Sequence, residues 1–494
     1  MLVANRGEIA VRVVRALREM NISSVAIFSE ADRRALHVQM ADEAIAVGPA
    51  VSSESYLSIP RILEAARKTG AEAIHPGYGF LSENAEFAAA CEREGVKFIG
   101  PSSQTIAQMG SKTSARRVAI AAGAPVVPGT EQGIQSYEEA RRTAAAIGYP
   151  VLLKAAAGGG GKGMRRVDGE SELDSAMRGA SSEAERAFGS GEVYLEKLIE
   201  RPRHIEIQVL GDEYGHLIHL GERECSIQRR HQKVVEESPS PLVLKHPELR
   251  ERIGEAALRI AHAANYANAG TLEFLADQHG SFYFLEMNTR LQVEHPVTEW
   301  VTGLDLVRWQ IRIAAGERLT LQQKDIQWRG SALECRVYAE DPLNNFFPSP
   351  GTIAQYSEPA GPGVRVDGGA YAGWTVPIEY DPLLAKLTVW ADSREAAIDR
   401  MRRAIAEFHV SGITTNLGLF ARLLEDECFR AGELHTGFLD GFMRGFEESS
   451  CDVDGRVAAV LAAAWAGSSK NGKPREAALP ESRWRSEARR GLFR

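Results

Sequence analysis

The sequence predicts an α/β fold, α+β in its later part: a parallel-sheet N-terminal domain, a small strand-and-helix unit, and a large mixed β-sheet domain. Three observations predict it. Residues 1–100 alternate short apolar strands with amphipathic helical stretches, the rhythm of βαβ units. Residues 126–198 read strand, glycine-rich loop, strand, helix, strand. From about residue 199 onward, strand patterns dominate.

Leu2-Val-Ala4 is the first strand, and Glu8 to Met20 is a helix with Ile9, Val13, Ala16, Leu17 and Met20 on one face. Ser24–Phe28, Ala73–His75 and Lys97–Ile99 are further strands. No GxGxxG follows the first strand, so a dinucleotide-binding fold is not supported. Residues 101–125 read as a helical connector. The small unit, 126–198, has strands Pro150–Lys154, Met164–Val167 and Glu192–Glu196, with a helix from about Glu170. Residues 199–445 form the largest unit, and 446–494 a short apolar helix (Val457–Trp465) followed by a charged tail.

A chain of 494 residues has room for about three domains. Hydrophobic residues at 44% and charged residues at 25% fit a soluble globular protein. A net charge of −8 argues against a nucleic-acid partner. Five cysteines without CxxC or zinc spacing point to a reducing compartment, and no signal peptide or membrane span is evident. The expectation is a cytoplasmic protein without a membrane partner.

The chemistry concentrates in Phe284-Leu-Glu-Met-Asn-Thr-Arg-Leu-Gln-Val-Glu-His-Pro296. If the backbone stays extended, a period of two puts Glu286, Asn288, Arg290, Gln292 and Glu294 on one face. A turn between His279 and Gly280 would set Glu273 opposite Glu286. Two carboxylates across a ladder repel unless a cation lies between them. Oxygen ligands Glu273, Glu286 and Asn288 suit Mg²⁺ or Mn²⁺ better than zinc. The plainer reading is a solvated acidic hairpin.

Other motifs point to an anion. Ala157-Gly-Gly-Gly-Gly-Lys-Gly-Met164 frees backbone N–H groups for a phosphate, and Lys162 adds charge. It is not a Walker A loop, since Gly163 follows the lysine. It reads as a mobile lid over a nucleotide, or more simply as a flexible hairpin tip. Lys154 ends an apolar strand just before it and could meet phosphate oxygens; Lys112 is a second isolated lysine. The stretch from Glu196 and Lys197 to His204 could offer hydrogen bonds to an adenine. Cys225-Ser-Ile-Gln-Arg-Arg-His-Gln-Lys233 is a basic cluster in an acidic protein, with Gln228, His231 and Lys233 the residues of interest. Arg336 sits in an apolar strand, so it needs a partner; structural pairing with a carboxylate is the simple alternative.

Together these motifs resemble the biotin carboxylase component of biotin-dependent carboxylases, in the ATP-grasp superfamily. The resemblance is carried by Ala4-Asn-Arg-Gly-Glu-Ile-Ala10, His75–Asn84, Gly110-Ser-Lys112, Gly158–Met164, Arg223–Lys233, Glu286–Thr298 and Tyr380-Asp381, and spans about residues 1–445. It implies an N-terminal domain, an ATP-grasp lid and a C-terminal domain. Lys112, Lys154, the loop Gly158, Gly159, Gly160, Gly161, Lys162, Gly163 and Met164, together with Glu196, Lys197, His204, Gln228 and His231, are then implied to bind ATP. Glu273 and Glu286 hold two Mg²⁺ or Mn²⁺ ions, with Asn288 beside them. Lys233, Arg290, Gln292 and the Val293 amide bind bicarbonate. Glu294 is the general base, Arg336 stabilises the biotin enolate, and Tyr78 lies near the ureido ring.

The implied reaction is attack of deprotonated bicarbonate on the γ-phosphate, giving carboxyphosphate and ADP. Carboxyphosphate then breaks to CO₂ and phosphate, and biotin captures the CO₂. No Ala-Met-Lys-Met motif is present, so biotin is expected on a separate biotin carboxyl carrier protein, with a carboxyltransferase as further partner and a homodimer implied. The segment Asp341–Gly351 and the tail resemble acyl-CoA carboxylase α-subunits, either free-standing or cut from a longer chain. The rival readings are another ATP-grasp ligase of the carbamoyl-phosphate synthetase kind and a non-catalytic ATP-binding scaffold.

Overall fold

Val25–Ser29 (β2) is buried at every position, as expected of a strand covered on both faces of a parallel sheet. It lies second in a five-stranded parallel sheet, in the order β3-β2-β1-β4-β5. The others are Leu2–Val3 (β1), Glu43–Gly48 (β3), Ala73–His75 (β4) and Lys97–Phe98 (β5). The edge strand β3 escapes an apolar-run search because most of its residues stay exposed or half-exposed. Helix Gly7–Glu19 buries Ile9, Val13, Ala16 and Leu17, the stripe its periodicity predicts. This computed structural model describes residues 1–446 apart from 131–132, 135, 156–163, 189–190 and 231. Residues 1–442 form one compact unit.

The segment 101–125 is helical as expected. Ser102 and Ser111 cap helices Ser103–Gly110 and Lys112–Ala121 by accepting from Thr105 N and Ser114 N. Next come Val151–Ala155 (β6), Met164–Val167 (β7) and Val193–Lys197 (β8), an antiparallel sheet in the order β7-β6-β8. Helices Tyr137–Ile147 and Glu170–Phe188 close over it, and Ala140, Ala144, Val151, Leu153, Leu173 and Leu195 form its own core.

The largest sheet has eight strands. Its consecutive neighbours are Phe282–Asn288 (β13), Asn268–Ala276 (β12), Arg203–Gly211 (β9), Leu217–Arg229 (β10), Gln232–Ser238 (β11) and Ser331–Tyr338 (β14), followed by Leu383–Ala391 and Val364–Gly368. Strand period decides its two faces. Ile205, Ile207 and Val209 of β9 join Leu272 and Phe274 of β12 in a core that includes Ile253, Ala257 and Ile260 of helix Glu248–Ala263. The alternate residues, His204, Glu206 and Gln208 on β9 and Thr271 and Glu273 on β12, belong to the other face and are buried as well. That second face carries the chemistry.

The extended run expected through Glu294 does not form: β13 ends at Asn288, and residues 293–294 make a turn into helix His295–Thr302. Pro296 in the first turn of that helix suits a helix start, where its missing N–H is not needed. The pairing of Glu273 with Glu286 does occur, by a different route. The turn is centred on His279, where Asp277 Oδ1 accepts from His279 N and Ser281 N and Gly280 takes a φ of +82°. Its first pairs, Ala276–Phe282 through Phe274–Phe284, would set Glu273 against Leu285. A bulge at Leu285 shifts the register by one and brings Glu286 across instead.

Candidate active site

One row crosses four strands. Glu286 on β13 faces Glu273 on β12, Glu273 faces Glu206 on β9, and Glu206 faces Arg223 on β10. Three carboxylates in line would be strongly unfavourable alone. Arg223, wholly buried, donates to Glu206 and reaches Gln208 Oε1 at 2.8 Å, Thr298 Oγ1 at 2.9 Å and Thr271 Oγ1 at 2.9 Å. Lys233, from β11, places its ammonium 2.5 Å from Glu206 Oε2, 2.8 Å from Glu273 Oε1 and 2.7 Å from Glu294 Oε1. Burial disfavours its charge, but these three carboxylates outweigh that and hold its pKa well above the usual lysine value.

Glu294 is wholly buried and doubly held. Its second oxygen accepts from Arg336 Nη2 at 2.9 Å, while Arg336 Nε donates to Glu236 Oε1 at 2.6 Å. Burial pushes the Glu294 carboxyl up; Lys233, Arg336 and Arg223 overcome it and hold the group well below the usual carboxylate range. Burial pushes Glu236 up to about 8, with Glu294 and Glu334 adding to the effect of burial and Arg336 opposing it. The carboxylate pairing anticipated as the plain explanation of Arg336 is therefore present, and one of its two partners is Glu294.

The remaining predicted anion ligands gather on the same rim. Arg290 donates to Gln292 Oε1 at 2.8 Å, Asn288 Oδ1 at 3.2 Å and Glu83 Oε2 at 2.8 Å. Asn288 Nδ2 and Gln292 Nε2 both donate to Glu273 Oε1, at 3.0 and 3.2 Å. His204 Nε2 lies 3.0 Å from Glu273 Oε2. Burial pushes the Glu273 carboxyl up, but Lys233 and then His204 overcome it and hold it low; Glu286 is raised by burial and by the Glu273 charge, against the pull of Lys112, His204 and Lys233. An excess of negative charge thus remains on the Glu286 side of the row. Hard oxygen donors with that imbalance fit a divalent cation. His204, Glu206 and Glu273 also converge closely enough to share an ion, as do Glu206, Cys225 and Glu294, where the Lys233 ammonium already bonds both carboxylates.

The predicted nucleotide residues are spread more widely. Lys154 donates to Glu196 Oε2 at 2.5 Å across the β6–β8 ladder. Lys197 holds Gly148 O at 2.9 Å and Tyr149 O at 3.0 Å, tying β8 to the turn before β6. Gln228 is buried and donates to Cys225 O at 2.7 Å. Met164 is exposed at the start of β7, and Lys112 is exposed at the first turn of its helix. Tyr78 donates its hydroxyl to Glu8. Gly158 to Gly163 and His231 lie outside the described residues.

Sequence reasoning passed over Glu206, Arg223, Glu236 and Glu83. A signal for Glu206 existed: His204, Glu206 and Gln208 are spaced by two inside Arg203-His-Ile-Glu-Ile-Gln-Val, the same alternation that exposed Glu286 and Asn288. Glu83 sits 206 positions from Thr289, whose N–H it accepts at 2.9 Å, and no local pattern announces such a pair.

Comparison with known proteins agrees with this geometry. Family models match in succession: biotin carboxylase N-terminal domain over residues 1–106, carbamoyl-phosphate synthase L chain ATP-binding domain over 111–322, and biotin carboxylase C-terminal domain over 334–441. A pyruvate carboxylase subunit from Methanothermobacter thermautotrophicus is 55% identical over 447 residues, 90% of each chain. Biotin carboxylase 1 of Bacillus subtilis is 53% identical over 443 residues, 90% of this chain and 98% of that one. The biotin carboxylase domain dimer of Hydrogenobacter thermophilus 2-oxoglutarate carboxylase, solved with MgADP, ADP and bicarbonate, has a TM-score of 0.82 at 52% identity, covering 89% of this chain and 96% of that one. Campylobacter jejuni biotin carboxylase, in a β-γ-ATP complex, has a TM-score of 0.83 at 48% identity, covering 89% and 98%. With half the residues identical over nine-tenths of the sequence and the same fold beneath them, the chain belongs to the biotin carboxylase family.

Proposed function

We propose that the cluster around Glu294 is where this chain activates bicarbonate, in the ATP-dependent carboxylation of biotin. The reaction is the first half-reaction of a biotin-dependent carboxylase. The observation that carries the assignment is the Lys233–Glu294–Arg336 arrangement: a wholly buried carboxylate held from both sides by cations, with a third cation, Arg290, bonded to Gln292 two residues before it. Lys233, Arg290, Gln292 and the Val293 amide bind the bicarbonate oxygens, Arg290 with a planar fork that suits a planar oxyanion.

A carboxylate depressed as far as Glu294 is a weak base. The two groups that depress it most, Lys233 and Arg336, are the ones assigned to the substrates. As Lys233 turns to bicarbonate and Arg336 to the biotin oxygen, Glu294 loses its compensation and its proton affinity rises. It then takes the bicarbonate proton, and the oxygen attacks the γ-phosphate to give carboxyphosphate and ADP. Arg336 stabilises the enolate when biotin N1 gives up its proton, with Tyr78 near the ureido ring.

Glu273 and Glu286, with Asn288 beside them, hold Mg²⁺ or Mn²⁺, two ions with ATP. These ions supply charge neutralisation at the transferring phosphoryl group. Lys112, Lys154, Gly158–Met164, Glu196, Lys197, His204, Gln228 and His231 form the nucleotide site. We divide the chain into an N-terminal domain (1–100), a helical connector (101–125), a lid (126–198), a C-terminal domain (199–445) and a tail (446–494). The separate apolar core of the lid supports its boundaries.

Biotin arrives on a separate carrier protein, and a carboxyltransferase takes the carboxyl group onward; relatives are named as subunits of such enzymes. The Hydrogenobacter domain is a dimer, and we assign a homodimer here. Relatives named for pyruvate, for 2-oxoglutarate and for methylcrotonoyl-CoA match about equally well, so the choice of the acyl-CoA branch rests on residues 341–351 and the tail. No helix among the described residues is long and apolar enough to cross a membrane, and we place the protein in the cytoplasm. The test is direct: purified protein with MgATP, labelled bicarbonate and free biotin yields acid-labile carboxybiotin and ADP in step. ATP cleavage without biotin-dependent carbon fixation would favour a different ATP-grasp ligase.

A further inference from the structure

Lys386 is a fully buried charge to which the proposed reaction gives no part. It comes from strand Leu383–Ala391 and is fully shielded from solvent. A lone ammonium there is costly unless it is paired and hydrogen-bonded. Its Nζ donates to the carbonyl of Val293 at 2.7 Å and lies 3.4 Å from Glu8 Oε1. The Tyr78 ring centroid is 5.9 Å away, and the Tyr78 hydroxyl donates to Glu8. Asp367 faces Lys386 across the ladder but is occupied by Arg365, at 2.7 Å.

The neighbouring peptide is held too. His295 Nδ1 lies 2.8 Å from the carbonyl of Gln292. A carbonyl only accepts, so Nδ1 carries the proton. Two buried donors therefore grip two successive carbonyls, 292 and 293. A trans peptide is planar, with its N–H opposite its C=O. Holding Gln292 O toward His295 forces the Val293 N–H to the other side, and holding Val293 O fixes the peptide that leads into Glu294.

We propose that Lys386 is a positioning residue. Braced by Glu8, it fixes the Val293–Glu294 peptide so that the Val293 N–H and the Glu294 carboxyl stay in register for the anion, without touching the anion itself. This rests on the assignment of bicarbonate to Val293 and Glu294. It also gives the N-terminal helix a stake in the reaction, because Glu8 and Tyr78 belong to the first domain and brace a turn more than two hundred residues later.

The test is the double variant Lys386→Met with Glu8→Gln, which removes both charges together and leaves no unpaired ion buried. The readouts are bicarbonate-dependent ADP release with free biotin, and thermal unfolding. We expect a folded protein whose kcat/KM for bicarbonate falls roughly tenfold, the worth of about one well-placed hydrogen bond, while KM for MgATP stays within about twofold. A folded double variant with an unchanged bicarbonate constant overturns the proposal. So does a parallel rise in both constants, which marks a purely structural role. If the double variant does not fold, Glu8→Gln alone decides: a severalfold loss confined to bicarbonate supports the brace, and no loss overturns it. Wild-type protein without any bicarbonate-dependent ADP release fails a different claim, the function itself, and takes this one with it.

Discussion

The eight-stranded sheet and the lid sheet both carry predicted substrate ligands, yet they hold them differently. In the large sheet the ligands are dry and multiply bonded: Lys233 serves three carboxylates, and Glu206 and Glu294 are wholly buried. In the small sheet, Lys154 meets a single carboxylate, the buried Glu196, and keeps 19% of its own side chain open to solvent. Pairs such as Arg165–Glu183 are nearly half exposed. Exposed pairs contribute little and exchange partners easily, whereas buried networks fix geometry. The contrast fits the proposed division of tasks, in which the large sheet aligns the small anion and its base and the lid offers replaceable charges to a nucleotide.

If so, substitutions should fall off steeply from sheet to lid. Lys233→Met strips three buried carboxylates of their shared cation and should destabilise the fold by about 3–5 kcal/mol, besides abolishing turnover. Chemical denaturation with parallel assays checks it; near-wild-type stability would mean that the network is not what holds the carboxylates together. Glu286→Gln should raise the Mg²⁺ concentration for half-maximal ATP cleavage about tenfold, with less effect on stability. A metal titration decides it.

The pH response tests the same network. Glu236 is raised to about 8, above its unfolded value, so the folded state holds a proton that the unfolded chain has lost. Its stabilising share is complete below the unfolded value, near pH 4, and disappears as pH climbs through about 8. Glu236→Gln should therefore shrink the stability lost between about pH 4 and about pH 8, read from urea midpoints. The depressed Glu294 has the opposite sign: its share is present above the ordinary carboxylate range and is lost as pH falls through its lowered value. The smallest effect belongs to the lid. Lys154→Ala should raise KM for MgATP several-fold and leave the bicarbonate constant unchanged, as a partly solvated contact implies.

Legibility followed locality. Four of the five strands of the parallel sheet, helix Gly7–Glu19 and the three strands of the small sheet were readable within a residue or two, because apolar period and glycine boundaries are local; the exposed edge strand β3 was not. The Glu273–Glu286 pairing was readable too, although it depends on a bulge at Leu285 that no propensity marks. The fold of the turn after Asn288 was not. There Gln292 and Glu294 reach the site from a turn, guided by contacts with Lys386, Glu83 and Arg336 from remote segments. Carboxylates such as Glu206 and Glu236 look like ordinary strand polarity until their partners across the sheet are known.

Glu294→Gln tests the central claim most directly. The amide keeps the shape but cannot take a proton, and its one oxygen can accept from Lys233 or from Arg336, not from both. Bicarbonate-dependent ATP cleavage should fall on the order of 10²–10⁴-fold, while MgATP binding, measured by calorimetry, stays near wild type. Full turnover in this variant would show that the proton leaves bicarbonate by another route and that Glu294 is not its base.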